Sequence, residues 1–93
     1  MSGSVVITGG CGFLGAALAR RISKNGVTLP DGRRLSSPML HLWDRPEAPV
    51  PAIPNAVFTP IDIADRDAVR ASMPPDVALV YHLAAVVSGQ AEA

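Results

Sequence analysis

The stretch VVITGGCGFLG, residues 5–15, decides the fold of this chain. A β-branched run leads directly into glycines, which are followed by apolar residues at helical spacing. Gly9 can turn with a positive φ, Gly12 has no Cβ to block an anion, and Gly15 lets the helix lie close to its strand. The first amides of such a helix are unpaired and lie at the positive end of its dipole. This junction is typical of a loop that binds pyrophosphate.

The residues around the glycines also distinguish this loop from the glycine-rich loops that bind nucleoside triphosphates. A loop that binds nucleoside triphosphates ends in Gly-Lys-Ser/Thr, whereas residues 13–16 read Phe-Leu-Gly-Ala and supply neither a lysine nor a hydroxyl. Nucleoside triphosphate hydrolysis is therefore disfavoured. The plain alternative, a β-turn-α unit with no ligand, is the weaker interpretation because the strand and the helix flank the glycines in the expected order.

Length and composition indicate one small globular domain with no net charge. The chain has 93 residues, 48% of them hydrophobic, and its eight basic and eight acidic residues cancel. A net charge of zero gives no field that would recruit nucleic acid or an anionic membrane. No apolar run approaches transmembrane length, and the N-terminus lacks the features of a signal peptide. We therefore expect a soluble cytoplasmic protein with neither nucleic acid nor a membrane as partner.

Cys11 is the single cysteine, which excludes an internal disulfide and suits a reducing compartment. We interpret it as a small residue whose side chain has no assigned role in the loop. The alternative is a reactive thiol, because a helix N-terminus can lower a cysteine pKa. No cluster of His, Cys and carboxylate residues has metal-ligand spacing, so no metal is expected.

Alternating strands and helices predict an α/β fold. We place strands at 5–8, 39–43, 57–61 and 78–83, and helices at 13–25 and 67–73. Right-handed crossovers then give a parallel sheet, and four strands in the order 3-2-1-4 would make part of a doubly wound sheet.

The connections carry their own local signals. Gly26 is a candidate cap at the end of the first helix, and Asp65 is a candidate N-cap for the second. Pro-Asp-Gly at 30–32 predicts a hairpin turn inside an insertion at 28–35, whose role we do not assign. Four prolines at 45–54 predict an exposed loop.

Asp44 ends the second main strand, where a dinucleotide-binding unit places an acid against the adenosine ribose hydroxyls. A 2′-phosphate there would meet a like charge, so Asp44 favours NAD over NADP. Arg45 leaves some use of NADP open. The alternative interpretation of Asp44 is a solvated aspartate at a strand end.

Two further segments follow the third and fourth strands. Asp62 could accept from the adenine amine while the backbone at Ile63 donates to a ring nitrogen, although an aspartate ahead of a helix is often a cap. Ala84 and Ala85 are small enough to let a sugar and a nicotinamide lie at the carboxyl edge of the sheet.

Taken in order, residues 8–15, Asp44, residues 62–63 and residues 82–85 resemble the extended short-chain dehydrogenase/reductase family, the NAD-dependent epimerase/dehydratase group. The resemblance implies NAD as cofactor and a doubly wound Rossmann sheet. Residues 1–93 would be the N-terminal, NAD-binding portion of a larger enzyme, truncated after the fourth strand. The residues that it implies for the cofactor are Gly9, Gly12, Phe13, Leu14 and Gly15 at the pyrophosphate, Asp44 at the ribose, Asp62 and Ile63 at the adenine, and Leu83, Ala84 and Ala85 beside the nicotinamide half.

Within that family, residues 82–92 and the insertion look like those of sugar-acid dehydrogenases. This similarity implies NAD-dependent oxidation of the C2 hydroxyl of a four-carbon sugar acid, with Ser88 facing the substrate. The alternative for Ser88 is a plain helix cap. The same cofactor motifs would serve a nucleotide-sugar epimerase or dehydratase, or a non-catalytic module that senses NAD.

The chain departs from the family in its catalytic residues. The family uses a Tyr-x-x-x-Lys pair for proton transfer, but Tyr81 is the only tyrosine here and Ala85 follows it four residues later. We interpret Tyr81 as a core residue and His82 as a packed strand residue. No catalytic residue is predicted within the chain, and whether these residues alone amount to an enzyme is left open. For the full-length protein, the resemblance implies a homodimeric enzyme.

Overall fold

The computed structural model describes residues 3–84, which form a parallel sheet with one helix against each face and a short hairpin beside it. The strands are β1 (Ser4–Thr8), β2 (Val27–Thr28), β3 (Arg34–Leu35), β4 (Met39–Asp44), β5 (Ala56–Pro60) and β6 (Val77–His82), and the helices are α1 (Phe13–Asn25) and α2 (Arg66–Ser72). The predicted α/β class is confirmed.

The main sheet has the order β5-β4-β1-β6, and every neighbouring pair is parallel. This confirms the predicted order 3-2-1-4, with β4 and β5 as the second and third main strands. The predicted hairpin is also present, since β2 and β3 pair antiparallel around Gly32, whose φ is 93°. The predicted strand at 78–83 was one residue late, because the ladder with β1 ends at His82 and leaves Leu83 outside the strand.

The core is built on β1, whose five residues are all buried because it lies between β4 and β6. Side chains alternate between the two faces, as the strand period requires. On one face of the sheet, Val5 and Ile7 of β1 and Leu40 and Leu42 of β4 share a buried cluster with Ala19 and Ile22 of α1. The residues on the α2 face include Val6, Trp43 and Ile61, with Ala68, Val69 and Met73 packed against them. The strand ends that carry the candidate site are thus held between two packed layers.

The ends of the helices follow the predicted caps. The Gly26 amide donates to the Ile22 carbonyl with a φ of 75°, a conformation that glycine adopts without strain. The Asp65 side chain accepts from the Ala68 amide at 3.1 Å, which starts α2 at Arg66, one residue before the predicted boundary. Residues 45–55 contain neither helix nor strand, in agreement with the predicted loop.

Candidate functional site

The glycine loop is tied to β4 through its first two amides. The Gly9 and Gly10 amides both donate to the Trp43 carbonyl, at 2.8 and 3.2 Å. Gly9 has a φ of 71°, so the predicted tight turn is confirmed. Because both amides are used by β4, Gly9 shapes the loop through its turn and not as a donor to a ligand.

The N-terminus of α1 faces solvent with its first amides free of intrahelical partners. Gly12 is the N-cap, and no side chain in residues 3–84 caps the helix. The Ala16 amide makes the first helical bond, to the Gly12 carbonyl at 2.9 Å, so the three preceding amides have no acceptor in the helix. Phe13 and Leu14 are 90% and 69% exposed. Phe13 and Leu14 thus offer amides without a helical acceptor at the exposed, positive end of the helix dipole, an arrangement that favours an anion.

The glycines of the loop are required for different reasons. A Cβ on Gly15 would overlap the Gly9 carbonyl and lie 2.8 Å from the Gly10 Cα. A Cβ on Gly12 would meet only the Gly9 carbonyl oxygen, at 3.4 Å. Nothing in the described protein therefore requires a glycine at position 12, whereas a ligand in front of the helix would.

Two details correct the expectations for these glycines. Gly15 makes its close approach to the backbone of the loop and not to the strand. Gly10, which the sequence analysis did not single out, has no room for a side chain because a Cβ would lie 2.9 Å from the Leu42 Cα. This contact joins residues far apart in the chain, and the only sequence signal for it was the extra glycine in the loop.

Asp44 lies at the carboxyl end of β4 and bridges to the glycine loop. Its Oδ2 accepts from the Cys11 amide at 3.0 Å, and its Oδ1 accepts from the Arg45 amide at 2.8 Å. The Asp44 carbonyl accepts from the Ile61 amide at 2.9 Å, which brings the ends of β4 and β5 together. A carboxylate has about four lone-pair sites, so Asp44 retains acceptor capacity for hydroxyl groups.

A surface cleft of about 320 Å³ opens beside the start of α1. It lies between the first turns of the helix and the proline-rich loop, and it reaches Cys11, Gly12 and Phe13 of the glycine loop. The residues lining its other parts are Ala16, Ala17, Arg20, Pro49, Val50 and Pro51. Of the predicted site residues, Gly12 and Phe13 line this cleft, whereas Asp44, Asp62, Leu83 and Ala84 do not.

Asp62 is exposed and is engaged in a local turn. Its Oδ1 accepts from the Ala64 amide at 2.9 Å, and its carbonyl accepts from the Asp65 amide at 2.9 Å. Asp65 and not Asp62 caps α2. Ile63 beside it is half-buried. An adenine contact by Asp62 and Ile63 stays a prediction.

The segment after β6 lies against the end of β1. The Leu83 amide donates to the Thr8 carbonyl, and the Ala84 amide donates to the Thr8 hydroxyl, both at 3.1 Å. A Cβ on Gly9 would lie 2.9 Å from the Ala84 nitrogen, so the glycine loop and this segment are in close contact. Ala85 and Ser88, predicted for the nicotinamide half and the substrate, lie outside the described residues.

The side chains of β6 differ in their packing. Tyr81 packs against the core, as predicted. His82 is exposed, so its interpretation as a packed residue was wrong, because β6 is an edge strand of the described sheet. Its Nδ1 lies 2.8 Å from the Thr8 hydroxyl.

Cys11 is not an activated thiol. Burial raises the pKa of its thiol, and the nearby Asp44 carboxylate raises it further. The interpretation of Cys11 as a small residue without a reactive role is therefore the better supported one.

A test of the Cys11 environment is its rate of alkylation. Because the thiolate is the nucleophile and the pKa is raised, we expect folded protein at pH 8 to react with iodoacetamide more slowly than free cysteine does. The rate should increase with pH and rise on unfolding in urea. A folded-state rate equal to that of free cysteine would contradict this description.

In residues 3–84 no group of three or more His, Cys, Asp or Glu side chains is placed to hold a metal ion. Within the same range, neither helix has the length and apolar character needed to cross a membrane.

The parallel α/β sheet and the glycine loop before α1 are typical of the dinucleotide-binding class of proteins, and comparison with known families gives the family within it. The chain belongs to the NAD dependent epimerase/dehydratase family, whose model matches residues 5–93. This confirms the resemblance that the four motifs indicated.

Two relatives narrow the comparison. The chain is 41% identical over 92 residues to D-erythronate dehydrogenase of Cupriavidus necator, covering 97% of this chain and 28% of that protein. The crystal structure of a candidate epimerase from Burkholderia cenocepacia J2315 superposes with a TM-score of 0.69 at 27% identity. That match covers 92% of this chain and 26% of the solved one, so the chain spans about a quarter of the length of these relatives.

Proposed function

We propose that residues 1–93 are the NAD-binding portion of an oxidoreductase that oxidises a secondary alcohol of a sugar acid such as D-erythronate. The observation that carries the proposal is the uncapped start of α1, where free amides lie beside a glycine that the protein's own packing does not require. The identity of 41% to D-erythronate dehydrogenase supports the substrate class.

We assign the parts of the dinucleotide to residues 12–15 and to Asp44 as follows. The amides of Phe13, Leu14 and Gly15 would hold the pyrophosphate, and the absence of a side chain at Gly12 leaves room for it. Asp44 would accept from the ribose hydroxyls while it holds the Cys11 amide. When bound, NAD supplies the hydride acceptor for the oxidation.

The remaining site residues are proposals from position in the chain. Asp62 and Ile63 would contact the adenine, and Leu83, Ala84 and Ala85 would lie beside the nicotinamide half. Ser88 would face the substrate. The chain holds no Tyr-x-x-x-Lys pair, so the proton-transfer residues of the full-length enzyme would come from elsewhere in that protein. We propose that the full-length protein is a cytoplasmic homodimer.

A second candidate is the NAD-binding portion of a nucleotide-sugar epimerase or dehydratase. It is supported by the structural match to the candidate epimerase of B. cenocepacia. The two candidates share the cofactor site and differ in the substrate pocket. Assay of the full-length protein with D-erythronate and with nucleotide sugars would separate them, since only the first predicts NADH formation from D-erythronate.

Cofactor choice tests the assignment of Asp44. We expect the protein to bind NAD more tightly than NADP, because a 2′-phosphate would meet the Asp44 carboxylate. The Asp44→Ala variant should lose about tenfold in NAD affinity, since a hydrogen bond to a charged group is removed, and with it the preference over NADP. Titration calorimetry with both nucleotides measures this.

Asp31→Ala is the matched control, since Asp31 is an exposed aspartate in the hairpin, paired with Arg33. It should bind both nucleotides like the unmodified protein. Circular dichroism should show that the variants are folded, because Asp44 also holds the Cys11 amide. Equal weak binding of NAD and NADP by the unmodified protein and by Asp44→Ala would remove Asp44 from the site.

A further inference from the structure

The Thr8 hydroxyl lies at the junction of two strand ends. Thr8 is 4% exposed, and its Oγ1 accepts from the Ala84 amide at 3.1 Å. The same oxygen lies 2.8 Å from Nδ1 of His82. One buried hydroxyl thus joins the end of β1 both to a ring on β6 and to the backbone that follows β6.

The donors and acceptors at Thr8 allow two directions for this arrangement. A hydroxyl has one hydrogen and two acceptor lone pairs, and the Ala84 amide uses one of these lone pairs, so the Thr8 hydroxyl can either donate to Nδ1 of His82 or accept from it. A ring nitrogen that accepts a hydrogen bond carries no proton. If the Thr8 hydroxyl donates to Nδ1, the ring proton of His82 lies on Nε2, and this is the direction that we expect.

We propose that His82 and Thr8 are a positioning pair that holds the backbone of residues 83–84 against the glycine loop. His82 keeps the hydroxyl of Thr8 in the orientation that receives the Ala84 amide. Gly9 completes the contact, because a Cβ there would lie 2.9 Å from the Ala84 nitrogen. The inference rests on the proposed function, in which residues 83–84 lie beside the nicotinamide half of NAD.

The pair acts on one half of the cofactor site. The opposite half has its own supports, since the Trp43 carbonyl holds the Gly9 and Gly10 amides and Asp44 holds the Cys11 amide. Loss of the Thr8 hydroxyl would free the Ala84 amide, while the bond from the Leu83 amide to the Thr8 carbonyl and the supports of the opposite half would stay in place. A role confined to folding would instead affect both halves equally.

The test compares NAD with ADP, which has the adenosine diphosphate part alone, as titrants of the purified protein. We expect Thr8→Val to lower NAD affinity about tenfold and to leave ADP affinity unchanged, because one hydrogen bond is lost on the nicotinamide side only. Thr8→Ser keeps the hydroxyl and should bind both like the unmodified protein. His82→Phe, at an exposed position, should shift NAD binding in the same direction as Thr8→Val and serves if that variant is unstable. An equal loss of NAD and ADP affinity, or no loss of either, would overturn the proposal.

Nitrogen-15 NMR of the imidazole gives an independent measurement. We expect the neutral imidazole of His82 to carry its proton on Nε2 in the unmodified protein, and to show a mixture of tautomers in Thr8→Val. A proton on Nδ1 in the unmodified protein would contradict the proposed direction of the hydrogen bonds. If the unmodified protein binds neither NAD nor ADP, the proposed function fails, and the tautomer still tests the pair.

Discussion

Substitution of Gly15 by alanine is expected to destabilise the protein by about 3 kcal/mol or more. The added Cβ would overlap the carbonyl of Gly9 and lie 2.8 Å from the Gly10 Cα. Both obstacles are backbone atoms of a loop that β4 holds through the Trp43 carbonyl, so neither moves freely. In an ordinary helix the same change would stabilise by about 1 kcal/mol, so the sign of the effect is itself diagnostic.

Urea denaturation followed by circular dichroism measures this effect. Gly12→Ala is the matched control, because a Cβ at position 12 meets only the Gly9 carbonyl oxygen, at 3.4 Å. We expect that variant to stay within about 1 kcal/mol of the unmodified protein. A Gly15→Ala protein as stable as the control would show that α1 does not lie against the loop as described.

The second large effect is expected in binding and not in stability. Gly12→Val should lower NAD affinity about 100-fold, because a branched side chain would fill the space in front of the Phe13 and Leu14 amides. The variant should still fold, since Gly12 has a φ of −77° and a ψ of 177°, an extended conformation that valine adopts readily. Titration with NAD, together with a urea denaturation curve, separates the two properties.

A control for the Gly12→Val variant is Thr28→Val, which introduces the same side chain at an exposed position on the hairpin. It should leave NAD affinity unchanged. A folded Gly12→Val protein with full NAD affinity would contradict the cofactor site as a whole. Gly12 and Gly15 are thus neighbours at the start of α1 with different expected effects: substitution of Gly12 should lower NAD affinity, and substitution of Gly15 should lower the stability of the fold.

Most of the secondary structure could be predicted because its signals are local. The spacing of apolar residues in 13–25 predicted both ends of α1 correctly. Asp65 indicated the start of α2 because its side chain accepts from the amide of Ala68, only three residues later in the chain. The strand order was that of the doubly wound sheet to which a glycine loop between a strand and a helix points, with crossovers whose hand depends on chain chirality and not on particular contacts. Boundaries were less accurate, as at β6, because the extent of the neighbouring strand sets them.

The candidate site was predicted in part for the same reason. Glycines in the loop and an acid at the end of β4 are signals that belong to single segments, and the structure brings Asp44 to the loop through the Cys11 amide. It gives Asp62 a turn bond to Ala64 that a sequence pattern could not distinguish from a ligand contact. The turn bond and an adenine contact would both use the Asp62 carboxylate, so the sequence pattern alone does not decide between them.

The sequence by itself determined the order of elements, the hairpin, the caps and the family to which the chain belongs. Only the tertiary structure decided that Gly10 must lack a side chain against Leu42, that burial and the Asp44 carboxylate raise the Cys11 pKa, and that Thr8 joins His82 to Ala84. The physical reason is distance along the chain. A cap or a turn is made by residues three or four apart, whereas these contacts join segments that lie about 30 to 75 residues apart and meet only when parallel strands align their carboxyl ends.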